Sequence, residues 1–131
     1  MKLQPDTFDT QAIAGHGPGW ISVASGGNTE TLHTSTVIGS RGERLDWGGT
    51  RFADLTAEHF VQLAALHAEI VLFGSGNRLR FPPPAWLQPL MAQRTGLETM
   101  DTAAACRTYN VLATEGRHVL AVLLLDTKNS A

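Results

Sequence analysis

With a single cysteine, Cys106, the chain can form no internal disulfide, which suits a reducing compartment and excludes a small scaffold stapled by bridges. One cysteine also cannot found a structural zinc site. The five histidines show neither a His-x-x-x-His nor a His-Glu-x-x-His spacing, so no metal and no cofactor are expected. Charge is sparse at 17%, and the ten Lys and Arg against twelve Asp and Glu give a formal net charge of −2. Those cations are scattered along the chain. Phosphate backbones need several converging on one face, so nucleic acid is not an expected partner, and a polybasic membrane anchor is absent for the same reason. No apolar run approaches the roughly 18 residues of a membrane span, and Met1 to Asp6 lack the apolar core of a signal peptide. A soluble, cytoplasmic protein is the expectation.

What the chain does have is enough apolar residue, 43% of 131, for one domain spanning 1–131, which at this size buries roughly two-thirds of its unfolded surface. Residues 1–19 read as a lead-in, because Gly15, His16, Gly17, Pro18, Gly19 is too rich in glycine and proline for the inside of an element. Trp20 to Val23 predicts a short strand, Gly26, Gly27 and Asn28 a turn, and Glu30 to Ile38 the returning strand of an antiparallel hairpin. Arg44 to Trp47 predicts a further strand, stopped by Gly48 and Gly49.

The period then changes from two to about 3.6. Thr56 is placed to cap a helix bearing Glu58 in its first turn and Phe60, Leu63, Ala64 and His67 on one face. Ile70 to Phe73 is apolar throughout, as a strand covered on both sides should be. A helix starts near Pro84 and carries Leu87, Leu90, Met91 and Arg94 to a stop at Gly96. Leu97 to Met100 is a strand, Thr102 a candidate cap, and Ala105, Tyr109 and Leu112 mark a helix ending at Gly116. Val119 to Leu125 closes the pattern, and 126–131 reads as a frayed tail. Alternating strands and helices in the second half imply parallel pairing, so the fold class is α/β: a compact sandwich whose mixed β-sheet carries an N-terminal antiparallel hairpin.

In such sheets ligands bind beyond the carboxyl ends of the strands. Two polar segments follow strands here, Gly74, Ser75, Gly76, Asn77, Arg78 and Asp101, Thr102 leading to Cys106 and Arg107, and the crevice between them is the candidate site. Its motifs are incomplete. A dinucleotide fingerprint would need glycine where Leu79 stands, and a nucleophile elbow would need glycines where Phe73 and Asn77 flank Ser75. Cys106 reads either as a thiol activated by a helix start and Arg107 or as an inert half-buried residue. Arg78, Arg80 and Arg107 with the amides near Thr102 could form an anion site; alternatively Arg107 and Arg117 pair with Asp101 and Glu115. Trp20 and Trp47 are expected under the sheet. Phe81 and Trp86, flanking three prolines, form either an exposed ridge suited to gripping another protein or a cap on the core.

Leu72 to Gly76, Arg80 to Pro83, Glu98 to Thr102, Ala105 to Leu112 and Glu115 to Arg117, with Gly17, Pro18, Gly19 and Trp47, together resemble a family of small domains of unknown function. Its mitochondrial member is assembly factor 3 of respiratory complex I, NADH:ubiquinone oxidoreductase. The resemblance runs from about Ile13 to Leu125 and implies a three-layer α/β fold with a mixed central sheet. For one branch it implies a non-enzymatic assembly role. The run Cys106, Arg107, Thr108, Tyr109, Asn110 fits the bacterial-type branch, for which the resemblance implies no established activity and supplies no catalytic residues to carry over. The leading functional expectation is therefore a protein-binding or assembly module with another protein as partner, and the second is a small-anion or metabolite binder, or an enzyme, using the crevice.

Overall fold

The computed structural model describes residues 10–126, so the expected tail beyond Asp126 and the first nine residues of the lead-in lie outside the described residues. Eight strands form two sheets. β1 (Ala12–Gly17), β2 (Trp20–Ser25) and β3 (Asn28–Leu32) make an antiparallel three-stranded sheet in sequence order. β4 (Ser35–Gly39), β5 (Arg44–Gly48), β6 (Ile70–Gly74), β7 (Gly96–Met100) and β8 (Val119–Leu123) make a mixed sheet ordered β5-β4-β8-β6-β7. In it β6 runs parallel to β7 and β8, whereas β4 runs antiparallel to β5 and β8. The helices are α1 (Ala57–Ala64), α2 (Gln88–Ala92) and α3 (Thr102–Thr114), with short 3-10 turns at Phe52–Asp54 and Pro84–Leu87.

The central strands β4, β6 and β8 are buried at all positions but Ile70 because both faces of the mixed sheet are covered, and β6 and β8 carry no polar side chain. Val37, Val71, Phe73, Leu120 and Val122 point one way, onto Phe60 and Leu63 of α1 and Leu90 of α2. Ile38, Leu72, Ala121 and Leu123 point the other way, onto Ala105, Cys106 and Tyr109 of α3 and onto Ile13, Ile21 and Val23 of the small sheet. The result is three layers, with α3 and the small sheet sharing one side.

Four expectations need correction. Gly15, His16 and Gly17 lie inside β1, not in a lead-in: the Trp20 indole lies along them, and a Cβ on Gly17 would stand 2.4 Å from its Nε1, so this strand needs glycine to accept the ring. The single strand expected over Glu30 to Ile38 breaks at His33 and Thr34, where the chain leaves the small sheet and enters the large one; β3 is mostly exposed and β4 wholly buried. The helix expected to reach Gly96 ends at Ala92, where Arg94 at φ 60° takes the left-handed position and the Thr95 and Arg94 N–H groups close onto Leu90 O and Met91 O at 2.9 and 3.0 Å. Gly96 instead opens β7. Similarly, α1 stops at Ala64, and His67, expected on its buried face, lies beyond it at φ 52°.

Candidate functional site

β6 and β7 are parallel neighbours, so the segments that follow them leave the same end of the sheet side by side. They are laced together. Ser75 N–H donates to Met100 O and Thr102 N–H to Gly76 O, both at 2.9 Å. The Thr102 hydroxyl accepts from Gly76 N–H at 2.9 Å and donates to Leu124 O at 2.7 Å, binding the end of β8 into the same knot. Thr102 is thus not the helix cap expected of it. Asp101 is, with Oδ1 accepting from Ala104 N–H at 2.8 Å.

Gly76 sits at φ 107°, and its N–H and C=O are both used by Thr102. The next amide, Asn77 N–H, donates to Asp126 Oδ2 at 2.6 Å. The Asp126 side chain is only 5% exposed and pairs with Arg80 Nη2 at 3.2 Å, so this residue, expected in the frayed tail, is a buried anchor. Arg80 also donates to Ser75 O at 2.8 Å and lies over the Phe52 ring, 5.1 Å from its centre. The fully buried Ser75 hydroxyl accepts from Arg80 N–H at 3.0 Å and has Arg78 O at 2.7 Å and Met100 O at 3.1 Å as acceptors for its proton. It holds the loop and has no base beside it.

Cys106 is fully buried among apolar side chains, and burial pushes its thiol up to about 11 despite the opposing charge of Arg107. The thiolate that nucleophilic chemistry needs is therefore scarce at neutral pH. Arg107 itself is exposed and forms no ion pair among the described residues, so neither its expected pairing nor its place in an anion cradle is found. Arg117 pairs with Glu69 at 2.7 Å, not with Glu115, and holds that exposed carboxyl below the usual range.

An open cavity of about 250 Å³ remains at the rim of this knot. Four of the expected residues line it: Gly76, Asn77, Asp101 and Thr102. Gly74, Ser75 and Cys106 are buried away from it, and Arg78, Arg80 and Arg107 do not line it. The facing wall is the β1–β2 turn, with His16, Pro18 and Trp20, and Asp126 contributes as well. Sequence reasoning missed that wall. Its signal was the Gly-Pro-Gly-Trp run, whose Pro18 and positive-φ Gly19 suit the two centres of a tight turn. Trp20 is half-buried beside the cavity and not under the sheet as expected, whereas Trp47 is buried and donates Nε1–H to Gln62 at 3.0 Å.

The expected aromatic pair divides. Phe81 is 67% exposed, while Trp86 packs on Phe60 with ring centres 5.9 Å apart and closes the core. Among the described residues no group of three His, Cys, Asp or Glu could hold a metal ion, and no helix is long and apolar enough to cross a membrane.

An uncharacterised protein of Rhodobacter capsulatus is 33% identical over 121 residues, covering 92% of this chain and 90% of that one. NADH dehydrogenase [ubiquinone] 1 alpha subcomplex assembly factor 3 of mouse is 34% identical over 82 residues, covering 61% of this chain but only 44% of that protein. A crystal structure of a Bordetella parapertussis protein superposes with a TM-score of 0.78 at 36% identity, over 89% of this chain and 97% of the other. A Bartonella henselae protein called an outer membrane protein gives 0.74 at 29% identity, over 90% and 98%. The family model for the protein of unknown function DUF498/DUF598 matches residues 13–124, and the chain belongs to that family.

Proposed function

We propose that the chain is a non-catalytic protein-binding module of the assembly-factor kind, acting as one domain over 1–131 in the cytoplasm. One observation carries this reading. The hydroxyls and the thiol of the crevice are spent on internal bonds or buried: Ser75 holds its loop, Thr102 ties three strand ends, and Cys106 lies in the core. Just beyond Asn77, by contrast, Leu79 and Phe81 stand 53% and 67% exposed on one short segment. Exposed aromatic area at low entropic cost is what a protein contact uses. The similarity to complex I assembly factors supports a protein partner, although this chain spans less than half of their length.

The alternative of a small-anion or metabolite site in the crevice needs cations there, and no arginine lines the cavity. Affinity capture from the source cells tests the reading with wild type against a Leu79→Ser, Phe81→Ser variant of unchanged melting temperature. A defined protein lost only from the variant is the expected result. Equal capture by both overturns the assignment of this surface, and recovery of the native protein with the membrane fraction overturns the cytoplasmic placement.

A further inference from the structure

The cavity at the rim of the knot has a chemistry of its own. At about 250 Å³ it lies below the usual range of a drug-sized ligand or cofactor, and is of a size for one extended side chain. Its ionisable lining is two carboxylates, Asp101 and Asp126, and the His16 imidazole, with no lysine or arginine. Asp126 is neutralised by Arg80 and by Asn77 N–H. Asp101 is half-buried, has one oxygen on Ala104 N–H, and forms no ion pair among the described residues, which leaves its second oxygen without a protein partner. The Ala104 contact answers the positive end of α3, so the helix terminus is already served by its own cap.

The same cavity is lined by the half-buried Trp20 and by Pro18 of the β1–β2 turn. A carboxylate lacking a counter-ion together with an indole is the combination that receives a guanidinium, whose planar head pairs with the first and stacks on the second while its methylene stem covers apolar surface. An inorganic anion would instead meet the Asp101 carboxylate, with no lysine or arginine lining the cavity to offset it.

We propose that this cavity is the anchor for one arginine side chain of the partner protein, its guanidinium paired with Asp101 and its stem against Trp20 and Pro18. The proposal rests on the protein-binding reading and supplies the partner's chemistry: an exposed arginine side chain.

The probe is N-acetyl-arginine N-methylamide, titrated into wild type and Asp101→Asn and followed through the backbone amides of Gly17, Gly19, Asn77 and Ala103 and the Trp20 indole N–H in nitrogen–proton NMR spectra. Asparagine caps a helix as well as aspartate, so the variant keeps the fold and loses only the charge. Saturable shifts at these positions are expected, weakened about tenfold or more in Asp101→Asn and in the norleucine analogue, as loss of a charge-assisted pair implies. No shift, an equal response in the variant, or a response to inorganic phosphate overturns the proposal. Tighter binding of free ethylguanidinium than of the arginine derivative assigns the cavity to a small amine and overturns the partner anchor. If Asp101→Asn still captures the protein that the Leu79, Phe81 variant loses, the anchor fails while the protein-binding reading stands.

Discussion

Replacing Gly76 with alanine tests whether the knot at the strand ends is as tight as its bonds suggest. Two costs add. At φ 107° a Cβ-bearing residue is strained by about 1–3 kcal/mol. The added Cβ would also stand 2.5 Å from Arg80 Nη2 and 2.6 Å from Asp126 Oδ2. Arg80 ends in a flexible chain and can shift, but Asp126 is pinned by Asn77 N–H, so the pair must separate or the loop must move. Full rupture of a buried pair costs about 3–5 kcal/mol, and partial relief leaves a combined loss of about 3–5 kcal/mol. For a chain of this length that lowers the melting temperature by roughly 10 °C or more.

Gly116→Ala is the control, since Gly116 also has positive φ, at 82°, but nothing lies within 4 Å of a Cβ there. It should lose only the backbone share, about 1 kcal/mol. Urea unfolding and calorimetry on both variants read the difference, which isolates the crowding of Arg80 and Asp126. Equal losses would refute the reasoning, because the loop would then absorb the methyl group without disturbing the pair.

Thr102→Ala strands Gly76 N–H and Leu124 O, both buried, so it should cost about 2–4 kcal/mol, well above the ~1 kcal/mol of a lost cap; Thr102→Ser should restore most of it in the same urea titration. Arg107→Ala removes an exposed side chain with no ion-pair partner among the described residues and should change the melting free energy by no more than about 0.5 kcal/mol. Burial raises the Cys106 thiol from 9.0 to about 11, so between those values the native chain keeps a proton that the unfolded chain has released, and stability present below pH 9 is lost as pH rises towards 11. Two pH units correspond to about 2–3 kcal/mol, and Cys106→Ala should flatten that part of the profile, leaving the further alkaline loss from Tyr109, which burial shifts in the same direction.

Legibility followed the range of the interactions involved. Ile70 to Phe73 announced a doubly covered strand because burial on both faces demands apolar residues at every position, a constraint written locally. The helix over Ala105 to Leu112 was legible for the same reason, since one stripe faces Leu72 and Ala121. β1 was not, because glycine inside a strand makes sense only once Trp20 is known to lie along it. The ion pairs were equally hidden: Arg117 finds Glu69 across 48 residues, and Arg80 finds Asp126 across 46, whereas reasoning from sequence had only near neighbours to offer. The site was half legible. Gly76, Asn77, Asp101 and Thr102 were placed by the topology of parallel strands, but the opposite wall comes from the other sheet, and no local pattern ties His16 to Asp126.

That second wall changes what the strand ends can do. In an open parallel sheet the crevice beyond the carboxyl ends is free for a ligand, and helix amides and loop side chains converge on it. Here Thr102 bridges Gly76 and Leu124 across that crevice, and Asp126 fills the remaining space against Asn77 and Arg80. Side chains of kinds that elsewhere perform chemistry here serve as fasteners. A ligand is displaced outward to the rim, where it meets Asp101 and the β1–β2 turn. A rim site enclosed on one side by a turn is open to a side chain that arrives attached to a larger surface.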